Sequence, residues 1–365
     1  AQRLHKIHAA GLAEDQAFYD ALAATETPLW RDFHEPPAGR DQQDRLAAML
    51  YHDDTAAGDK VMLNLGDQAR FIGRRLVEMH IKAGIDFAIT FADPNFGALL
   101  LNYADEAGIA GWGEAKNRAW VDVTKTIACR PETPRESLID YNEESAKALA
   151  GQTAAIGRKI SSGQINFCLT ALPSETDAEC DGFNYADYIR LFFELCDQPW
   201  QHIGQAHKNV LIPRLDAGRH VRITNDDGTD ITMELVDNDG TPFTFCNSLV
   251  QRNIPGSEVF SAPRRDSVNG TVVAKGVFSP RAGEIIRNLT LYFRDGYLYD
   301  FDADEGAAHF QTFIDRYPGN RYVGELGIGT NPHLKRHVLN GLLVEKISGS
   351  FHLALGKCYT MTEYD

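Results

Sequence analysis

The stretch KVMLNLGDQARFIGRRLVEMHIKAGIDFAITF, Lys60 to Phe91, reads as a complete strand, helix, strand unit and decides the fold class. KVMLNL is a short apolar strand. Gly66-Asp67 can cap the helix that follows, on which Ile72, Leu76, Met79 and Ala83 share one face, and Gly84 ends it. IDFAITF, Ile85 to Phe91, is the second strand. Further along, NFGALLLNYADEAG from Asn95 is helical, WVDVTKTIAC (Trp120 to Cys129) and QINFCLTAL (Gln164 to Leu172) are strands, and a helix spans Tyr185 to Cys196. Strands alternating with amphipathic helices have to be crossed over in parallel, so a mainly parallel sheet is expected.

On the N-terminal side, residues 1–57 look helical and mostly polar, broken at Pro36-Pro37, and are expected to form an arm or cap. On the C-terminal side the pattern changes near Asp216. In HVRITNDDGTDITMELV, Val221 and Ile223 alternate against Ile231, Met233 and Leu235 around Asp227-Gly228, and a second hairpin pairs Leu289, Leu291 and Phe293 with YLYDF through Asp295-Gly296. The expected organisation is therefore an arm (1–57), an α/β N-terminal domain with a mainly parallel sheet (58–215), and an α+β C-terminal domain with antiparallel hairpins (216–365) that holds the candidate metal-binding chemistry.

A formal charge of -15 over 365 residues argues against nucleic acid or an anionic membrane as the main partner, because both need a basic face that releases counterions. Six cysteines, Cys129, Cys168, Cys180, Cys196, Cys246 and Cys358, have no Cys-x-x-Cys spacing and read as buried thiols in a reducing compartment. No apolar run reaches membrane-spanning length and the start lacks a signal core, so a cytoplasmic location is expected.

The chemistry concentrates late in the chain. GELGIGTNP (Gly324 to Pro332) brackets Glu325 with glycines, EKISGSFHLALGKCY supplies Glu345, His352 and Tyr359, and NIPGSEVFSAP (Asn253 to Pro263) supplies Glu258. Glycines let a backbone approach an ion and proline stiffens the entry. Glu345 and His352 would lie roughly 10 Å apart on one continuous helix, so they converge only if the chain bends at Ser348-Gly349-Ser350. Three carboxylates with few histidines suit two divalent ions better than one zinc, and a nearby phenol can donate to a developing oxyanion. The same residues also admit a reading without metal, in which Glu345 caps a turn, His352 is a satisfied half-buried histidine and Tyr359 belongs to the core. His333 and His337 sit beside Lys335 and Arg336, which repel a cation, and the acidic runs Glu143-Glu144 and Asp302 to Glu305 read as solvated faces or helix starts. No Gly-x-Ser-x-Gly elbow occurs.

Five blocks in order, NIPGSEVFSAP, SVNGTV, GYLYDFDADEG, GELGIGTNP and EKISGSFHLALGKCY, resemble the thermophilic-aminopeptidase family of metallopeptidases; they run from Asn253 to Tyr359. The parallel half resembles the family's N-terminal domain more loosely. The resemblance implies a dinuclear metal enzyme that removes N-terminal residues from peptides through a metal-activated water, usually as a homodimer. Zinc or cobalt is implied, with manganese or magnesium as alternatives. By position, Glu258 resembles the first metal-binding acid, Glu325 the acid shared by both ions and the catalytic carboxylate, Glu345 and His352 further ligands, and Tyr359 the active-site tyrosine. The family usually places glycine directly before the first acid, where this chain has Ser257. It also places a His-x-Asp pair downstream of His352, which does not occur before Asp365; with the start at Ala1, the expectation is either terminal residues beyond the sequence given or a genuine loss of the pair. Two other functions fit the scaffold: a catalytically silent dimeric binding protein, and a dinuclear amidohydrolase acting on small amides.

Overall fold

The computed structural model describes residues 39–51, 55–91, 94–130, 142–249, 252–279 and 284–358. Most of the expected arm, and Tyr359, lie outside the described residues.

The first half is the parallel α/β layer that its periodicity predicts. Strands β1 (Lys60–Leu65), β2 (Asp86–Phe91), β3 (Lys125–Cys129) and β4 (Asn166–Thr170) form a parallel sheet in the order β2-β1-β3-β4. Val61, Met62 and Leu63 are all buried in succession because helices cover both faces of a parallel sheet. The helix Arg70–Ala83 ends at Gly84, whose left-handed φ of 67° suits the absent side chain. Its buried face runs through Ile72, Leu76 and His80; Met79 is half-buried and Ala83 exposed, one step away from the expected stripe. His80 is tolerated there because Nδ1 bonds the Leu76 carbonyl at 2.7 Å and the ring packs edge-on against Tyr51. Glu143-Glu144 opens the helix Glu143–Ser161, whose N-cap is Asn142. The described end of the expected arm is a helix, Arg40–Tyr51, with Leu46, Ala47 and Leu50 fully buried in the first core. Lys125, also buried, donates from Nζ to the Tyr51 carbonyl at 2.8 Å and so satisfies that helix's C-terminal end.

The second half is antiparallel. Strands β5 (His220–Thr224) and β6 (Asp230–Glu234) form the first expected hairpin, with Val221 opposite Met233 and Ile223 opposite Ile231. The three-residue β7 (Cys246–Ser248) and the two-residue β8 (Asn253–Ile254) precede β9 (Glu258–Ser261) and β10 (Asn269–Phe278). Strands β11 (Ile286–Arg294) and β12 (Tyr297–Glu305) form the second expected hairpin, and Asp302 to Glu305 lies on β12 rather than at a helix start. These strands build one sheet in the order β12-β11-β10-β6-β5. A smaller sheet, in the order β14-β13-β9-β7, adds β13 (Val323–Gly329) and β14 (Phe351–Leu355).

The two halves interlock. Strand β8 leaves the second half and extends the parallel sheet beside β4, while Leu334, Val338 and Leu343 are buried in the first core. Asp181 receives the Tyr188 hydroxyl at 2.6 Å and the Leu339 N–H at 2.7 Å, and the buried Asn331 donates from Nδ2 to the Leu195 carbonyl at 3.0 Å. All six cysteines are free thiols; Cys129, Cys168 and Cys196 are buried as expected, Cys246 and Cys358 are half-buried, and Cys180 is exposed. Among the described residues no helix is long and apolar enough to cross a membrane.

Candidate metal centre

The small sheet places its functional side chains by simple alternation. Along β13, Glu325, Gly327 and Gly329 fall on one face because side chains repeat every second residue. The neighbouring strands add His352 opposite Gly327 and Glu258 opposite Gly329, and residues directly opposite share a face. Three donors from three strands thus meet over a row of glycines. A Cβ at Gly327 would lie 2.1 Å from both His352 Cε1 and Nε2, so the imidazole rests on bare backbone. Gly256, just before the Ser257-Glu258 step, has no room for a side chain either: a Cβ there would lie 1.3 Å from the Leu249 carbonyl oxygen.

One ligand atom each from Glu258, Glu325 and His352 lies within 4.8 Å of the others, and this is the one such group found among the described residues. His352 Nε2 is 3.1 Å from Glu325 Oε1 and 3.5 Å from Glu258 Oε2. Glu258 is almost fully buried, yet its Oε2 accepts no hydrogen bond, and His352 Nδ1 is likewise buried without a partner. A buried, undonated carboxylate oxygen costs desolvation free energy with no return. Together with a second carboxylate and an imidazole nitrogen at this spacing, it fits a divalent cation.

Glu345 stands differently. Its Oε2 lies 2.9 Å from Lys346 Nζ, which also reaches Glu258 Oε1 at 2.7 Å. The chain does bend between Glu345 and His352, with Gly349 at a φ of 79°, but Glu345 lies outside the group of three and joins it through the lysine. Lys346 is 1% exposed. Burial works to lower its pKa, and Glu345 and Glu258 more than offset this, leaving it above the usual lysine value as a charged ammonium. Burial raises the Glu258 carboxyl above its ordinary value; Lys346 works against that rise and Glu345 adds to it.

The sequence reading missed Lys346, although its position beside Glu345 in the apolar run GLLVEKI was the available signal. His333 and His337 are not in the group; His337 Nε2 instead faces the Val277 carbonyl at 2.6 Å.

The description Thermophilic metalloprotease (M29) belongs to the family model that matches residues 41–364. Aminopeptidase 2 of Geobacillus stearothermophilus is 34% identical over 140 residues, which are 36% of this chain and 33% of that protein. This match therefore spans about a third of that relative's length. Aminopeptidase T of Thermus thermophilus is 26% identical over 334 residues, covering 83% of this chain and 80% of the relative. The solved structure of wild-type AmpT from Thermus thermophilus superposes with a TM-score of 0.71 at 21% identity, over 88% of this chain and 87% of that one. A 2,5-dihydroxypyridine dioxygenase from Pseudomonas putida superposes with a TM-score of 0.51 at 13% identity, over 89% of this chain and 88% of that one, so the fold alone does not choose the reaction. A family match running through both halves, and through all three strands that carry the donor group, does choose the lineage: the chain belongs to the thermophilic metalloprotease family.

Proposed function

We propose that the protein is a metal-dependent aminopeptidase that hydrolyses the N-terminal residue from peptides. The observation that carries this reading is the meeting of Glu258, Glu325 and His352 within 4.8 Å, in a chain whose curated relatives are named aminopeptidases. Glu258, Glu325 and His352 would hold a divalent ion, and Glu345 would serve a second one that shares Glu325. Bound there, zinc or cobalt (manganese or magnesium as alternatives) supplies Lewis acidity to the scissile carbonyl and lowers the pKa of the attacking water.

The chain's own residues do the rest. Lys346 fixes Glu258 and Glu345 relative to each other and offsets part of their charge. Glu325 has one oxygen turned to His352, which leaves Oε2 to take the proton of the attacking water and return it to the departing amine. Tyr359, outside the described residues, donates to the developing oxyanion. The free α-amine of the substrate would bind one ion or a nearby acid, which accounts for cleavage from the N-terminal end. A homodimer working in the cytoplasm completes the proposal.

The test is hydrolysis of amino-acyl p-nitroanilides by chelated protein, with zinc, cobalt or manganese added back. Restored turnover is expected, with N-acetylated substrates resistant and Glu325→Gln slower by about 100-fold or more. Failure of all three metals to restore turnover sinks the assignment.

A further inference from the structure

Glu258 leaves its loop through Ser257, which is fully buried and has a φ of 94°, a left-handed conformation that non-glycine residues adopt at a steric cost. Two backbone bonds grip it: its N–H donates to the Ser248 carbonyl at 2.8 Å, and its carbonyl accepts from Thr330 N–H at 2.9 Å. A chain of side chains grips it as well. Ser257 Oγ lies 2.8 Å from Thr330 Oγ1, Thr330 Oγ1 lies 2.9 Å from His207 Nε2, and His207 Nδ1 lies 2.8 Å from Asn247 Oδ1.

With a neutral His207 ring, the protons run one way along this chain. Asn247 Oδ1 accepts from Nδ1–H, so Nε2 is the acceptor for the Thr330 hydroxyl, and the Thr330 oxygen then receives the Ser257 hydroxyl. His207 is 3% exposed, sits at the start of the π-helical turn His207–Leu211, and has both ring nitrogens engaged. Nothing in the hydrolytic step uses it. The two residues that follow it in this chain, Thr330 and Ser257, flank the donor group: Ser257 precedes Glu258, and Thr330 follows Gly329, the residue paired with Glu258.

We infer that His207, Thr330 and Ser257 form a positioning relay that holds Ser257 in its left-handed conformation and thereby aims the Glu258 carboxylate at the cation. The inference rests on the reading that Glu258 is a metal ligand. Thr330→Val isolates the relay, because it removes the hydroxyl and keeps the backbone N–H that Ser257 already receives. Glycine adopts a positive φ without support, so Ser257→Gly makes the relay unnecessary.

The experiment is Co2+ titration of the chelated full chain, followed by calorimetry and by the visible absorption of the bound ion. Thr330→Val is expected to weaken Co2+ binding by about 10- to 100-fold and to alter the absorption spectrum. The double variant Thr330→Val/Ser257→Gly is expected to recover most of the affinity and the wild-type spectrum, while Thr330→Val/Ser257→Ala is not. Wild-type affinity and spectrum in Thr330→Val, or equal behaviour of the two double variants, overturns the relay. If Thr330→Val fails to fold, recovery of folding and Co2+ binding by glycine but not alanine supports the relay, and its absence overturns it. A wild-type protein that takes up no Co2+ overturns the metal reading and the relay with it.

Discussion

At the scale of single residues, the centre is a balance among buried charges. Glu258 is raised by burial above the glutamate reference of 4.5. A carboxyl raised in the folded state contributes stability that is fully present below its unfolded pKa and is lost as pH climbs through the folded value. The metal-free wild type is therefore expected to lose thermal stability relative to Glu258→Gln as pH rises above 4.5. Melting temperatures of both proteins across that range check the sign, and a constant difference would contradict it. Added divalent metal should reverse the trend, because it needs the ionised carboxylate. Glu258, Glu325 and His352 were legible because glycines and prolines mark the segments around them, although those segments fold as strands rather than loops. The sequence concealed Lys346, since a lysine's burial depends on what folds over it, and two of the groups involved, Glu258 and Lys346, are 88 positions apart by their numbers.

At the scale of elements, β13 works through what it lacks. The alternation of Glu325, Gly327 and Gly329 clears a trough that the His352 ring fills. Gly327→Ala forces that ring aside and is expected to cost about 2 kcal/mol of stability through overpacking. The same displacement should reduce turnover by about 100-fold, since misplacement of about 1 Å carries such a penalty. Urea unfolding and the p-nitroanilide assay measure the two effects separately. The strand, helix, strand unit from Lys60 and both hairpins were legible because periodicity and Asp-Gly turns are local signals. Strand β8 was not, because two residues carry no period and their partner, β4, lies in the other half of the chain.

At the scale of the whole molecule, a boundary near Asp216 marks a change of local pattern while the packing runs across it. Leu334, Val338 and Leu343 complete the first core. A fragment of residues 216–365 would expose all three at roughly 2 kcal/mol each, a loss comparable with the roughly 5–15 kcal/mol that stabilises a whole domain. That fragment is expected to show no cooperative thermal transition by circular dichroism, whereas the full chain shows one.

Strand β8 gives this interlocking a further meaning. Leu169 N–H bonds the Arg252 carbonyl at 2.6 Å and Thr170 Oγ1 bonds the Ile254 carbonyl at 2.7 Å, so the segment leading to Glu258 is moored to the edge of the opposite layer. Glu258 is thus anchored twice, in the small sheet it shares with Glu325 and His352 and, through the segment before it, in the opposite layer. Slippage between the layers would therefore pull on this carboxylate before the other two donors.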